Sequence, residues 1–525
     1  MFIDEANLLG LKRQLTEFRR FDPPSIRIKG INYPLTAEHK IIFAGNPNSY
    51  RSERQPIDFF EPHDTVEIFH PLPMCVIHEE VIKPMLMTLA SDEDIQTISS
   101  TIAPIFEWLI QESKKNVLIS PRQIQEIIRH ILLNAHRGVL ITPESVQMLT
   151  YKVMAPRLSK ELLAAWESFW PLSIQPITET TPTESIDYGP STKFLVTPSR
   201  IKPLQALNDF LAIRSMSRLD DTPTTLAYGG LNCFILEGEP GVGKSKMALA
   251  VLLQQGFHEI KKEHINEGTE QMILTNAQTD YFFRISAEDT LETINTILDL
   301  AFKTGSVVLV DEINSLPAME QKLNNYLEGK ALNNTSILPL FERGVQGGFD
   351  STTTIRRGSR LIGTQNPATR KGRGIVSPAL DNRTHLEVLD PYPHEEMIQI
   401  LQDSYHILPT DKIERLVTLF EDLVQEQKND KESKKEPLVF RDLLNAATEL
   451  EKLERVYAWK GENNLRAPLL TSTHQSLFNA VNSSSFSPQK RKYDPKAKPK
   501  KDASTEIDED LQAAKRKFFG GTLSK

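Results

Sequence analysis

The stretch "NCFILEGEPGVGKSKMALAVLL" (232–253) decides how the surrounding chain must fold. Its apolar run from Cys233 reads as a buried strand, its glycine-rich centre as a turn, and its small and apolar end as a helix. Gly238 and Gly243 frame the turn, and Lys244-Ser245 follow, which satisfies G-x-x-x-x-G-K-[ST]. Phosphate groups carry several negative charges, so a loop that holds them must offer backbone N–H groups without side-chain interference. The loop Gly238, Glu239, Pro240, Gly241, Val242, Gly243, continuing into Lys244, Ser245 and Lys246, has that composition. Lys244 is suited to the β- and γ-phosphates, and the Ser245 hydroxyl to Mg²⁺. A chance glycine turn between strand and helix is the competing account, and the motifs downstream weigh against it.

"GSVVLVDEINSL" (305–316) is a continuous apolar strand ending in Asp311-Glu312, 73 residues beyond Gly238. Open α/β sheets carry functional side chains at the carboxyl ends of their strands, beside the phosphate loop. Asp311 is suited to hold the water shell of Mg²⁺, and Glu312 to polarise an attacking water. Acids at the start of a helix would also satisfy its macrodipole, but the upstream loop favours the chemical reading. "SRLIGTQNPATR" (359–370) is a further apolar strand ending on Asn366, whose amide can orient a water and sense the γ-phosphate. An Asn before Pro also forms turns.

The order of phosphate loop, Asp-Glu strand, Asn strand, and a helical lid with an Arg resembles the AAA+ ATPases. "DEIN", "TQNP", "SPALDNR" and "PYP" resemble the dynein-related group that includes midasin and the MoxR-type ATPases. The resemblance covers about residues 205–457 fully and 1–170 in part. It implies an α/β P-loop NTPase fold: a parallel sheet flanked by helices, each module followed by a helical lid. It implies ATP and Mg²⁺ as cofactors, and ATP hydrolysis with Glu312, Asn366, Arg383 and Arg441 as the catalytic set. In it Asn366 is sensor 1 and Arg441 in "FRDLL" is sensor 2. Arg383 in "DNRTH" is the finger reaching a neighbouring site, with Arg370 and Arg373 as nearby candidates. Placing positive charge where γ-phosphate charge develops is independently required for phosphoryl transfer. An oligomeric ring, or pairing with other AAA+ modules, and an unidentified client protein follow as expectations. The insert 331–360 before Asn366 reads as a solvated loop, with Arg356, Arg357 and Arg360 the candidates to touch a substrate.

The chain also repeats. "FAGNPNSYRSERQPIDFFEPHDTVEIFHPLP" (43–73) aligns without a gap with "GTQNPATRKGRGIVSPALDNRTHLEVLDPYP" (363–393), at a constant offset of 320 residues. "ISPRQIQEIIRHIL" (119–132) matches "LVFRDLLNAATEL" (438–450), with Arg122 against Arg441 at an offset of 319. The opening "MFIDEANLLG" then corresponds to the Asp-Glu strand, so Asp4-Glu5 stand for Asp311-Glu312. Asp4 to Asn46 spans 42 positions, against 55 for Asp311 to Asn366, and His63 stands where Arg383 does. The expectation is a tandem duplication whose first copy lacks its front and its phosphate loop, with one nucleotide per chain and a reading frame that extends upstream. The expected domains are 1–170, a truncated module; 171–200, a linker; 201–393, an intact ATPase core; 394–481, its lid; and 482–525, a mostly disordered basic and Ser-rich tail.

Composition bounds the function. A chain of 525 residues holds more than one core. Its net charge of −8 argues against nucleic-acid binding by bulk electrostatics. Cys75 and Cys233 have no metal or redox spacing and fit a cytoplasmic setting. No apolar run has membrane-spanning length. An ATP-driven remodeller of proteins or protein assemblies leads. A nucleotide-gated scaffold with little turnover comes second and a nucleic-acid-associated NTPase last.

Overall fold

Continuous apolar strands need cover on both faces, and here they form a parallel sheet flanked by helices. The strands are β1 (Phe2–Ile3), β2 (Ser25–Ile28), β3 (Ile31–Pro34), β4 (Ile42–Phe43), β5 (Cys233–Gly238), β6 (His258–Ile260), β7 (Tyr281–Ile285), β8 (Val307–Val310), β9 (Arg360–Gln365) and β10 (Thr384–Leu389). A six-stranded sheet runs β10-β5-β9-β8-β7-β6, with parallel pairing from β5 through to β6. The computed structural model describes residues 2–3, 25–28, 31–34, 36, 42–43, 72–112, 120–170, 194–219, 222, 230–276, 278–315, 327, 356–367, 380, 383–429 and 438–463. Asp4-Glu5, Asn46, His63, Arg370, Arg373, most of the insert, the Pro/Thr-rich 174–193 and the tail lie outside these.

The chain divides into two compact units, interleaved in sequence. The first comprises Met1–Thr180, Pro203–Glu237 and Val251–Val388. It holds the six-stranded sheet, whose central strands β8 and β9 are fully buried along their length. Ile294, Ile297, Leu298 and Ala301 on the helix Leu291–Thr304 pack with Phe283, Val308 and Val310 of the sheet. That helix begins at a Thr290 cap, whose hydroxyl accepts from the Thr293 N–H at 3.2 Å. It ends at Gly305 with φ 73°, a left-handed stop where a Cβ would meet the Arg357 carbonyl at 2.5 Å.

The same unit contains a helical cluster: Asp92–Glu112, Pro121–His136, Pro143–Met154 and Lys160–Phe169, around Ile98, Phe106, Ile127 and Trp166. Its helix Pro121–His136 meets the segment entering β5. Glu126 accepts from the Leu231 N–H at 3.0 Å and Gln125 from the Gly230 N–H at 2.8 Å. Arg129 donates to Glu126 at 3.2 Å and to Asn232 at 3.4 Å, all fully buried. A buried charge is tolerable only when paired and hydrogen-bonded, and Glu126 and Arg129 meet that condition together.

The second unit comprises Thr181–Lys202, Gly238–Ala250 and Leu389–Lys525. It carries the helices His394–Ser404, Thr410–Asn429 and Phe440–Asn463. The helix Thr410–Asn429 runs on through the charged residues Glu426, Gln427 and Lys428, which are good helix formers. Residues 194–200, read as the end of a linker, are structured: Phe194, Val196 and Thr197 are buried, and a helix starts at Pro198.

The two stretches that align in sequence each contribute a parallel strand pair. β1 and β4 pair in parallel with Ile3 opposite Phe43, and β8 and β9 with Val310 opposite Gly363. Phe43 and Gly363 differ by the same 320 residues that the sequence alignment gives. The helices after Pro73 and Pro393 start at Met74 and His394, again at that spacing.

Candidate functional site

The glycine loop lies in the second unit. β5 delivers the chain into it, and the helix Lys244–Gln254 leaves it. Gly241 has φ 92°, where only glycine sits without strain. A Cβ there would lie 2.5 Å from the Arg441 backbone nitrogen, so the loop and the start of the helix Phe440–Asn463 touch backbone to backbone. Lys244 is 8% exposed, and its Nζ donates to the Gly238 and Glu239 carbonyls at 2.6 and 3.0 Å. The loop thus curls around its own ammonium group. Glu239, Pro240, Gly241, Gly243 and Ser245 are half-buried, Val242 is buried, and Lys246 and Arg441 are exposed.

Tyr392 ties this arrangement to the strand exit. Its hydroxyl donates to the Val242 carbonyl at 2.9 Å, and burial pushes that hydroxyl's pKa up. The Arg200 guanidinium lies 3.9 Å from the Tyr392 ring centroid and donates to the Asp390 carbonyl at 2.7 Å. Phe440 packs against the same ring, centroids 4.9 Å apart.

The acidic residues lie in the first unit, at the carboxyl end of β8. The Asp311 N–H continues the β7 ladder by donating to the Ile285 carbonyl at 2.8 Å. Asp311 Oδ1 accepts from the Thr364 hydroxyl at 3.3 Å, and the same hydroxyl accepts from the Glu312 N–H at 3.2 Å. Glu312 has φ 57°, the one positive value at a non-glycine among the described residues. Its Oε1 accepts from the Asn366 amide at 3.3 Å, while the Asn366 carbonyl accepts from Asn314 at 2.8 Å. Asp311, Glu312 and Asn366 are therefore gathered through Thr364. Beside them, Gln365 donates to Glu237 at 2.6 Å, linking the ends of β9 and β5.

Arg383 sits just before β10, 8% exposed, with its N–H donating to the Leu380 carbonyl at 2.9 Å. The arginines of the insert depart from a solvated loop. Arg360 is 3% exposed and donates to Ser217 Oγ at 3.1 Å, and Arg357 donates to the Leu219 and Thr222 carbonyls, both at 2.8 Å. Only Arg356 of the three is exposed. Guanidinium forks here satisfy carbonyls where the chain enters β9, a demand that composition does not reveal.

Sequence reasoning missed Arg284. From β7 its Nε and Nη2 both donate to Asp311 Oδ2, at 3.0 and 2.7 Å. It missed Thr364 and Tyr392 as well. For Arg284 the available signal was a lone cation near the end of an apolar strand, "YFFRI" (281–285).

In the second unit the Gly241 cradle has no room for a side chain and Ser245 beside it offers a hydroxyl; in the first unit, taken by itself, Asp311 offers a carboxylate. Among the described residues no group of three or more His, Cys, Asp and Glu could hold a metal ion. No helix among the described residues is long and apolar enough to cross a membrane.

Parts of the chain are similar to known proteins. Residues 233–384 match the AAA domain family of the dynein-related subfamily. A relative, midasin from Giardia intestinalis, is 26% identical over 221 residues, which is 40% of this chain and 4% of midasin's own length. Among solved structures, a chain of the E. coli MS115-1 HORMA:CdnC:Trip13 complex covers 54% of this chain and 87% of its own, at 12% identity and a TM-score of 0.28. Residues 233–384 are thus similar to the AAA domains of the dynein-related subfamily, the group to which the midasin likeness also points.

Proposed function

We propose that the second copy binds ATP with Mg²⁺ and hydrolyses it, and that the chain uses this cycle to remodel a protein or protein assembly. The observation that carries the reading is Glu312. A left-handed backbone costs an L-residue about 1–2 kcal/mol. Here that strained conformation accompanies a carboxylate hydrogen-bonded to the Asn366 amide. Strain of this kind clusters at functional sites.

In this reading the loop from Gly238 to Lys246 holds the phosphates, with Lys244 exchanging its two carbonyl partners for phosphate oxygens. Ser245 and Asp311 hold Mg²⁺, which when bound neutralises charge on the β- and γ-phosphates. Glu312 takes the proton of the attacking water, Asn366 orients it, and Arg441 reports the phosphate state to the lid. Arg383 serves a neighbouring module, and its burial means that the side chain swings outward on assembly.

The matched registers of β1–β4 and β8–β9 support two tandem copies. A ring, or pairing with other AAA+ modules, is supported by one contrast. Glu126 of the first copy is buried against the entry to β5, whereas Asn445, 319 residues on, is exposed.

Two substitutions test the site. Lys244→Ala is expected to weaken ATP binding by about 30-fold or more. Glu312→Gln is expected to bind ATP normally and to hydrolyse it about 10²–10⁴ times more slowly. Fluorescent-nucleotide binding and phosphate release measure the two effects. Wild-type turnover by Glu312→Gln would sink the assignment.

A further inference from the structure

We infer that Arg284 is a latch on Asp311, occupying the carboxylate lone pairs that hydrated Mg²⁺ would use and giving way when magnesium and nucleotide enter. This rests on the nucleotide reading above. The geometry is local to the ends of β7 and β8. Arg284 stands opposite Leu309 in the ladder, and the Asp311 N–H bonds the next β7 carbonyl, Ile285. Both guanidinium N–H groups converge on one oxygen, Oδ2, at 3.0 and 2.7 Å, while Oδ1 accepts from Thr364.

Magnesium dehydrates reluctantly and keeps several waters. An aspartate serving that ion through its water shell must accept hydrogen bonds from those waters. A carboxylate has about four lone-pair positions, and Arg284 covers two of them with donors of the same kind. Guanidinium and hydrated cation therefore compete for one oxygen.

Exposure separates this arginine from the structural ones. Arg214 has a side chain 1% exposed and binds the Gly358 and Gly305 carbonyls and Asp280, so it knits strand entries together. Arg284 is 41% exposed, and Asp311 is its one partner among the described residues. A half-exposed pair is weak enough to break. A divalent ion held jointly by phosphate is strong enough to break it.

The test uses the full chain and a fluorescent, slowly hydrolysed ATP analogue, with Mg²⁺ titrated in from EDTA. Each protein's midpoint is read against its own Mg²⁺-free baseline. Arg284→Met keeps length and removes every donor, and its Mg²⁺ midpoint should fall about threefold. Arg284→Lys keeps the charge without the fork and should fall between the two, which provides a second reading if the Met variant does not fold. An unchanged midpoint overturns the latch. A raised midpoint also overturns it, since Arg284 would then be orienting Asp311 for the ion. A folded wild type that binds the analogue neither with nor without Mg²⁺ would instead overturn the nucleotide reading, and the latch with it.

Discussion

Two helices whose sequences align, Pro121–His136 and Phe440–Asn463, make different contacts. In the second copy, Phe440–Asn463 brings the backbone of its first residues against the glycine loop, with Arg441 at Gly241. In the first copy, Pro121–His136 uses its middle instead, burying Glu126, Arg129 and His130 around Gly230, Leu231 and Asn232. At the aligned positions the second copy has Asn445, Thr448 and Glu449, none of them buried. One helix thus sets its tip against the glycine loop, and the other sets its flank against the segment entering β5.

The largest effect that separates the copies is expected from Glu126→Ala. It leaves Arg129 buried without its carboxylate and the Leu231 N–H without its acceptor. A loss of about 3–5 kcal/mol in urea unfolding is expected. Asn445→Ala should stay within about 0.5 kcal/mol. Equal costs at the two sites would erase the proposed difference between the flanks.

A smaller effect depends on pH. Burial pushes the His130 imidazole down to about 4 from 6.5, with Glu126 and Asp209 opposing and Lys152 and His385 reinforcing. The unfolded chain therefore takes up a proton between about pH 6.5 and 4 that the folded chain refuses. Stability from this source is complete above pH 6.5 and falls as pH drops through that window, by up to about 3 kcal/mol. His130→Gln should flatten the acid limb of a stability–pH curve. A variant slope identical to wild type would remove the histidine from the account.

The smallest effect concerns Tyr392, which aligns with the half-exposed Leu72 of the first copy. Tyr392→Phe deletes the bond to the Val242 carbonyl and should cost about 1 kcal/mol in unfolding free energy. No change would mean that the hydroxyl exchanges its partner for water at no cost.

Much of this was legible in the sequence because phosphate chemistry demands particular residue types at particular spacings. The glycine loop, the Asp311-Glu312 strand end and Asn366 could be read directly. The order of strands could not be read, since a parallel strand's apolar run does not name its neighbours. Arg284 was illegible for the same reason: its meaning comes from lying one strand over from Asp311. Glu126, Arg129 and His130 form what reads as the solvent face of an amphipathic helix. Their burial depends on a segment more than a hundred positions away, which no local period encodes. Arg357 and Arg360 likewise bind turns at Leu219, Thr222 and Ser217.

The left-handed backbone at Glu312 has an evolutionary consequence. Glycine, or to a lesser degree asparagine, would occupy φ 57° with less strain than glutamate. A library of this chain selected only for surviving heat should therefore drift away from the acid at 312. A library selected for turnover should hold it, at some cost in melting temperature. Sequencing position 312 in the two populations would show what each selection had valued.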